Sequence, residues 1–180
     1  MPKTIYLIRH CKATGQEPEA SLTEEGQQQA EALAARLAGF PIDRLVSSPF
    51  CRACQTALPI ARRRHLVVDV DPRLAERALC GPGVPDWRER LAESFVDIDL
   101  VLPGGESSRE AMRRGTAVVE ECLAGDVDTS AIVTHGNLLA LILKRFDDRV
   151  GFDEWRALST PDVWRLTATS AGTVVERIFD

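Results

Sequence analysis

The sequence predicts an α/β fold: a three-layer αβα sandwich in which helices cover both faces of a mostly parallel central sheet. Two observations predict this class. Short apolar and β-branched runs alternate along the chain with longer segments of helical periodicity. The chain has 180 residues, 44% of them hydrophobic, which is enough for one sizeable core. We therefore expect a single domain over residues 1–180, with a cap-like excursion at about 77–105.

The first part of the chain carries three predicted strands and two predicted helices. In order, they are a strand at Thr4–Ile8, a helix over about 24–38, a strand at Leu45–Ser47, a helix over about 51–63 and a strand at Leu66–Val70. The strands are short and mostly apolar, as buried strands are. The first helix is predicted because Thr23 can cap it, Gly39 can end it, and apolar residues between them recur at i, i+3, i+4 and i+7.

The second part begins with a proline- and glycine-rich segment, residues 81–105, which indicates an excursion over the core. It holds a short predicted helix near 86–94. The elements that follow are a helix from about 108 to 123, a strand at Ala131–Val133, a helix at Asn137–Phe146 and a terminal hairpin of Val163–Thr169 with Val174–Phe179. The helix near 108 is predicted because Ser107 and Glu110 have the spacing of a capping box.

Polar side chains follow three of the predicted strands. Arg9 and His10 follow the first, Arg52 comes shortly after the second, and His135 follows the strand at 131–133. In a mostly parallel sheet these strand ends share one edge, and ligands bind beyond that edge. The sequence therefore predicts that two histidines and two arginines meet at one ligand site.

Two arginines and two histidines together suit a phosphate dianion. Guanidinium groups pair with phosphate oxygens, often through two bonds, and stay charged at any working pH. A neutral imidazole is a competent nucleophile, while the second histidine and the arginines can stabilise the transferring group. The departing alkoxide needs a proton, and Glu76, just after the third strand, is the best-placed acid. We expect neither a metal nor a cofactor.

Five sequence blocks carry a family resemblance. They are LIRH at 7–10, SSPFCRACQTA at 47–57, LAE at 74–76, PGGES at 103–107 and VTHGN at 133–137. Together and in this order they resemble the signature of the histidine phosphatase superfamily, the phosphoglycerate mutase-like clan. The similarity spans roughly residues 4–146, and the combination of blocks is far more specific than any one block.

The resemblance implies a role for each matching residue. His10 would be the phosphorylated residue and Glu76 the proton donor. The phosphate would be bound by Arg9, Arg52, His135 and the amide of Gly136. Gln16 stands where many members carry a phosphate-contacting asparagine, six residues after the nucleophile.

Two residues depart from the family pattern. Cys11 replaces the usual glycine after the nucleophile, and Lys12 replaces a frequent Glu or Gln. We expect the cysteine to narrow the floor of the site and the lysine to add charge at its mouth. Neither change removes a reacting group, so both bear on substrate choice and not on the reaction.

Other residues with catalytic or metal-binding potential have simpler interpretations. His65 follows three arginines and is expected at the surface, and Ser107 is expected to be a helix cap. Cys51 and Cys54 form a C-x-x-C, but the chain has no second ligand pair at zinc-site spacing. The pair His10-Cys11 resembles the start of a cysteine phosphatase motif, but position 17 is Glu where that motif requires Arg.

The expected activity is phosphomonoester hydrolysis through a phosphohistidine at His10. The first alternative is a cofactor-dependent phosphoglycerate mutase, which returns the phosphoryl group to a second hydroxyl. It is less favoured because mutases of the family carry a longer insertion after the glutamate and an ERHY run, of which only Glu76 and Arg77 are present. A protein phosphohistidine phosphatase and a non-catalytic binding module on the same fold are further alternatives.

Composition bears on partners and location. The net charge of −5 argues weakly against a nucleic-acid partner. Apolar runs are too short to cross a membrane, and the N-terminus does not resemble a signal peptide. Five cysteines, an odd number, are more typical of a reducing cytoplasm than of a disulfide framework. We expect a cytoplasmic enzyme acting on a small phosphorylated metabolite, and the sequence leaves the oligomeric state open.

Overall fold

A six-stranded sheet lies at the centre of the computed structural model, which describes residues 2–81 and 84–179. The strands are β1 (Lys3–Arg9), β2 (Arg44–Ser47), β3 (Val68–Val70), β4 (Thr129–Thr134), β5 (Asp162–Thr169) and β6 (Gly172–Phe179). Their order is β3-β2-β4-β1-β5-β6. The first four strands in this order are parallel, and β5 and β6 form an antiparallel hairpin at one edge. The predicted mostly parallel sheet is confirmed.

Six α-helices surround the sheet within the described residues. They are α1 (Glu24–Arg36), α2 (Cys51–Arg64), α3 (Trp87–Val96), α4 (Ser108–Ala124), α5 (Gly136–Phe146) and α6 (Phe152–Arg156). Thr23 caps α1 by accepting a hydrogen bond from the Gly26 amide at 2.9 Å. Ser107 and Glu110 form the predicted capping box of α4. The sequence analysis did not predict α6, because five residues are too few for a helical period to be recognised.

The core is divided by the sheet into two clusters. Alternate residues of β1 enter opposite clusters: Ile5 and Leu7 lie on the face covered by α4 and α5, and Tyr6 and Ile8 on the face covered by α1 and α2. This alternation explains why the strand is apolar at successive positions instead of alternating with polar residues. The αβα layering follows directly from it.

The register of the sheet places the predicted site residues at the same height along neighbouring strands. Arg9 of β1 lies opposite Thr134 of β4, and Ser47 of β2 lies opposite Val133. The ladder continues one step beyond the strands, because the His10 amide donates to the Thr134 carbonyl at 3.0 Å. The residues that follow β1, β2 and β4 therefore emerge at the same edge.

The excursion between β3 and α4 folds back on itself next to this edge. Two backbone hydrogen bonds hold it: the Gly81 amide to the Pro103 carbonyl and the Glu106 amide to the Ala78 carbonyl, both at 2.8 Å. The paired segments approach so closely that a Cβ at Gly105 would lie 2.2 Å from the Leu79 carbonyl oxygen. The glycines of the PGGES block thus provide close backbone contact, and α3 lies within the excursion.

Candidate active site

The imidazole of His10 is held in one tautomer by its two hydrogen bonds. Its Nδ1 lies 2.6 Å from the Cys11 carbonyl oxygen, and because a carbonyl only accepts, Nδ1 carries the proton. Nε2 is therefore the unprotonated nitrogen, and it accepts a hydrogen bond from Arg52 Nε at 3.1 Å. The site thus holds a lone pair on Nε2 in a defined direction, as a nucleophile requires.

Burial keeps this imidazole neutral. His10 is 8% exposed, and desolvation lowers its pKa from 6.5 to about 4. The hydrogen bond to the Cys11 carbonyl acts in the opposite direction, whereas the charges of Arg52 and Arg9 contribute to the lowering. At neutral pH the nitrogen Nε2 is consequently unprotonated.

The lowered pKa of His10 predicts an acid-dependent loss of stability. Above about pH 6.5 the histidine is neutral in both the folded and the unfolded chain, so it contributes no pH dependence. As the pH falls from 6.5 to about 4, the unfolded chain takes up a proton that the folded chain does not, and the free energy of unfolding decreases. The loss from this group is on the order of 3 kcal/mol at pH 4.

Urea unfolding at pH 7 and pH 4.5 measures this loss. The matched variant is His10→Gln, which keeps a polar side chain but does not titrate. The wild type should lose more stability than the variant between the two pH values. Equal losses would show that His10 is not the titrating group.

His135, directly after β4, is oriented by Ser48. Its Nε2 lies 2.7 Å from Ser48 Oγ, and the same oxygen accepts the Phe50 amide at 3.2 Å. A serine hydroxyl that donates to Nε2 places the histidine proton on Nδ1, whereas one that accepts from Nε2 leaves Nδ1 as an acceptor. Within the described residues Nδ1 is buried and has no partner. The ring lies edge-on to His10, with 5.1 Å between centroids, so the first of these tautomers offers a donor close to the nucleophile.

The pKa of His135 is also lowered well below 6.5. Burial is the largest cause, followed by the charges of His10 and Arg52. The imidazole of His135 is therefore neutral at neutral pH. The role of Ser48 was missed in the sequence, although the serine stands in the SSP run of its block.

Arg52 reaches the site from the second position of α2. It is fully buried, and its Nη1 donates to the carbonyls of Gln16 and Glu17 at 3.1 and 2.8 Å. Its Nη2 is buried without a partner among the described residues. Burial lowers the pKa of the guanidinium, and Glu76 and Glu17 partly oppose this. Because its hydrogen bonds go to carbonyls and imidazole, and none to a carboxylate, its charge remains available to a dianion.

Arg9 is held in a similar way at the end of β1. Its Nη1 donates to the Leu158 and Ser159 carbonyls at 3.0 and 3.2 Å, and its Nε is buried without a partner in the described part of the chain. The guanidinium packs on Gly136, where a Cβ would lie 3.1 Å from Arg9 Cζ and Nε. Gly136 therefore makes room for Arg9, in addition to offering the free amide of a first helical residue.

Gly136→Ala tests this packing. The added methyl should displace the Arg9 guanidinium by a few tenths of an ångström, and inorganic phosphate should inhibit about tenfold more weakly, since small misplacements of a binding group are costly. The matched control is Gly39→Ala, where a Cβ would meet no atom within 4 Å. An unchanged inhibition constant in Gly136→Ala would contradict a role for this contact in holding Arg9.

Glu76 lies at the N-terminus of α5. Its Oε1 accepts the amides of Arg77 and Leu138 at 2.8 and 3.0 Å, and its Oε2 accepts the Asn137 amide at 3.1 Å. At this position the carboxyl oxygens satisfy amides that have no partner within the helix. The sequence placed Glu76 in a loop after β3, and only the fold brings it to α5.

The loop that carries Glu76 is clamped by Arg114 of α4. Its Nη1 donates to the carbonyls of Arg73 and Ala75 at 2.6 and 2.7 Å. The rest of the guanidinium forms a fork with the Glu106 carboxylate at 3.0 and 2.5 Å. Glu106, from the PGGES block, thus orients the arginine that orients the Glu76 loop. The sequence analysis missed both residues, although Glu106 stood in a matching block.

Gln16 lines the cavity, whereas Cys11 and Lys12 lie away from it. Gln16 is exposed at the cavity, and the contact it makes in the site is through its backbone carbonyl to Arg52. Cys11 is 0% exposed and packs in the core cluster with α1 and α2, so it does not line the cavity. Burial raises its thiol pKa to about 11. Lys12 pairs with Glu25 and also lies away from the cavity.

A cavity of about 960 Å³ opens beside these groups. Arg9, Glu76, Gly136 and Asn137 line it, and we call the part lined by residues of α3 and α6 its outer part. His10, Arg52 and His135 are not among the lining residues. In the described part of the chain, no three His, Cys, Asp or Glu side chains converge in a way that could hold a metal ion. No described helix is long and apolar enough to span a bilayer.

Comparison with known proteins supplies a family. The model of the histidine phosphatase superfamily (branch 1) matches residues 5–180. A protein of Proteus mirabilis named "Probable phosphoglycerate mutase GpmB" is 30% identical over 157 residues, which cover 77% of this chain and 72% of that protein.

Solved structures share the fold over nearly the whole chain. A mycobacterial glucosyl-3-phosphoglycerate phosphatase has a TM-score of 0.79 at 24% identity, covering 99% of this chain and 98% of the other. The α-ribazole phosphatase of Shigella flexneri has a TM-score of 0.75 at 20% identity, covering 98% and 96%. At these identities the similarity is one of fold.

Proposed function

Because this chain belongs to branch 1 of the histidine phosphatase superfamily, we propose that it is a phosphomonoester phosphatase that works through a phosphohistidine at His10. The observation that carries the proposal is the neutral, oriented Nε2 of His10 beside the buried guanidinium of Arg52 and the partly buried guanidinium of Arg9, neither of which forms an ion pair with a carboxylate of the described residues. The substrate is a small phosphorylated metabolite, and no metal takes part.

The first half of the reaction transfers the phosphoryl group to His10. The hydrogen bond from Arg52 Nε to His10 Nε2 breaks, and this N–H turns to a phosphate oxygen. The freed Nε2 lone pair attacks phosphorus in line, the N–P bond forms and the P–O ester bond breaks. The bonding electrons leave on the alcohol oxygen, which takes a proton from the Glu76 carboxyl group. Free donors on Arg9, Arg52 and His135 stabilise the charge on the equatorial oxygens.

The second half returns the enzyme to its starting state. Water attacks phosphorus while the Glu76 carboxylate takes its proton, and the P–N bond breaks with its electrons returning to Nε2. Glu76 therefore acts first as acid and then as base. Its position on the cavity side of α5 suits both steps.

A panel of phosphomonoesters tests the proposal by release of inorganic phosphate. Turnover that is lost in His10→Ala supports it, and absence of release from every ester contradicts it. Phosphopeptides included in the panel, with phosphohistidine among them, separate a protein phosphatase from an enzyme of small metabolites.

The second candidate is the mutase, which the name of the Proteus mirabilis relative favours. In the excursion that follows Glu76, Arg77 is committed to Ser94 Oγ at 2.8 Å and to the Glu106 carbonyl at 3.1 Å. These contacts hold its guanidinium within the excursion, which disfavours its use in binding a substrate carboxylate. With 3-phosphoglycerate, a phosphatase releases phosphate and glycerate, whereas a mutase yields 2-phosphoglycerate.

Activity should survive removal of divalent cations. Two guanidinium groups supply the positive charge that many phosphatases obtain from metal ions. After dialysis against EDTA, kcat should match that of untreated enzyme. Loss of turnover, restored by one divalent ion, would show that a metal takes part.

A further inference from the structure

Three aromatic side chains line the outer part of the cavity, and we call them the aromatic wall: Trp87, Phe152 and Trp155. Trp87 belongs to α3 of the excursion, and the other two belong to α6. The rings of Trp87 and Trp155 meet at right angles with 6.3 Å between centroids, and Phe152 stacks on Trp155 at 5.3 Å. These are the preferred edge-on and stacked arrangements of aromatic rings, so the wall is an organised surface.

The aromatic wall is not needed for the phosphoryl transfer. The residues of that chemistry follow β1, β2, β3 and β4, whereas the wall comes from α3 and α6. A volume of about 960 Å³ is near the upper end of small-molecule sites. It exceeds what a phosphate group occupies, so the outer cavity has room for the rest of a substrate.

The wall also leaves apolar surface exposed to solvent. Trp87 is 42% exposed, while Phe152 and Trp155 pack partly against the core. Leu79, Leu91 and Leu158 extend the apolar lining inward. Covering exposed indole surface with a ligand removes apolar surface from water and therefore favours binding. The flat face of a ring covers such a surface best.

We propose, on the basis of the function proposed above, that the aromatic wall binds the alcohol part of the substrate and that this alcohol carries a ring. A ring with an apolar face, aromatic or sugar, can stack on Trp155 or Trp87 while the phosphate reaches His10. A short acyclic alcohol leaves the wall uncovered. The ring therefore increases kcat/KM by about tenfold for each well-packed aromatic contact.

The experiment compares esters whose leaving alcohols are all primary. Benzyl phosphate and glucose 6-phosphate carry rings, and ethyl phosphate and glycerol 1-phosphate do not. The wild type should prefer a ring ester about tenfold or more in kcat/KM. Preference for benzyl phosphate alone assigns the wall to aromatic rings, and preference for glucose 6-phosphate alone assigns it to sugars.

Substitutions in the aromatic wall show whether these residues cause the preference for ring esters. Trp87→Ala and Trp155→Ala should reduce the preference for ring esters, while kcat/KM for ethyl phosphate stays within about twofold of wild type. Trp155→Phe should retain most of the preference. The exposed position of Trp87 keeps that variant informative if Trp155→Ala fails to fold. Trp164→Phe is the control, because Trp164 lies on β5 and does not line the cavity. A preference that is absent in wild type, or unchanged in both alanine variants, overturns the proposal.

Binding without turnover separates this inference from the proposed function. Benzylphosphonate and ethylphosphonate are not hydrolysed, and calorimetry reports their affinities for wild type and for Trp87→Ala. Tighter binding of benzylphosphonate that the variant loses supports the wall, even in a protein that releases no phosphate. Equal affinities, together with no preference for glucose 6-phosphate, show that the wall does not select a ring.

Discussion

Replacing His10 by alanine should reduce phosphatase turnover by about 10⁴-fold or more, since removal of a covalent nucleophile leaves only binding and electrostatic stabilisation. The wild type, denatured in alkaline detergent after exposure to substrate, should carry a phosphoryl group that is stable in alkali and lost in acid, and the variant should not. Mass spectrometry of the denatured protein, kept at neutral pH for digestion, locates the group.

The third histidine provides the matched control for this experiment. His65 is exposed and ends α2 in a left-handed conformation with φ of 56°. His65→Asn is the suitable substitution, because asparagine tolerates this conformation better than alanine. It should leave turnover unchanged. Wild-type turnover in His10→Ala, or a stable phosphoryl group on another residue, would contradict the mechanism.

Glu76→Gln should slow phosphoryl transfer from alkyl phosphates by about 10²–10⁴-fold, the usual contribution of general acid catalysis. Transfer from p-nitrophenyl phosphate should fall far less, because p-nitrophenolate is stable and leaves without protonation. Single-turnover phosphorylation rates isolate this step from the later attack by water. Equal losses on both esters would show that Glu76 is not the acid.

The structure shows that this substitution is not neutral for the fold. Both carboxylate oxygens accept backbone amides, so a glutamine amide group would face the Asn137 or Leu138 N–H. We expect a loss of about 1 kcal/mol in the free energy of unfolding. Glu110→Gln is the matched control, because Glu110 accepts the Ser107 amide at the start of α4, away from the cavity. Glu110→Gln should lower the free energy of unfolding by a similar amount. The ratio of the phosphorylation rates for alkyl and p-nitrophenyl phosphates should stay as in the wild type.

The sequence by itself determined the layers and the edge where the site forms. Apolar runs such as Thr4–Ile8 and the capping signals at Thr23 and Ser107 are local, and local propensity acts within a few residues. Parallel pairing then brings the residues after β1 and β4 together, so the strand pattern alone predicts that Arg9, His10 and His135 meet at one edge. The positions of Arg52 after β2 and of Glu76 after β3 made them expected members of the site, and the resemblance added Gln16 and the amide of Gly136.

Only the tertiary structure decided how those residues are held. Ser48 and His135 are 87 positions apart, and no local pattern encodes the hydrogen bond that orients the histidine ring. The same applies to Glu76 on the amides of α5 and to Arg114 on the Glu76 loop, since each contact depends on how separate elements pack.

Packing also decided which neighbours of the nucleophile face the substrate. Cys11 follows His10 in sequence but turns into the core, while α6, too short for its periodicity to be recognised, supplies Phe152 and Trp155 to the cavity. The sequence determined the reacting groups because they stand beside strand ends. The residues that line the outer part of the cavity could be identified only from the packing of α3 against α6. Contacts between distant segments depend on the whole fold and not on local propensity.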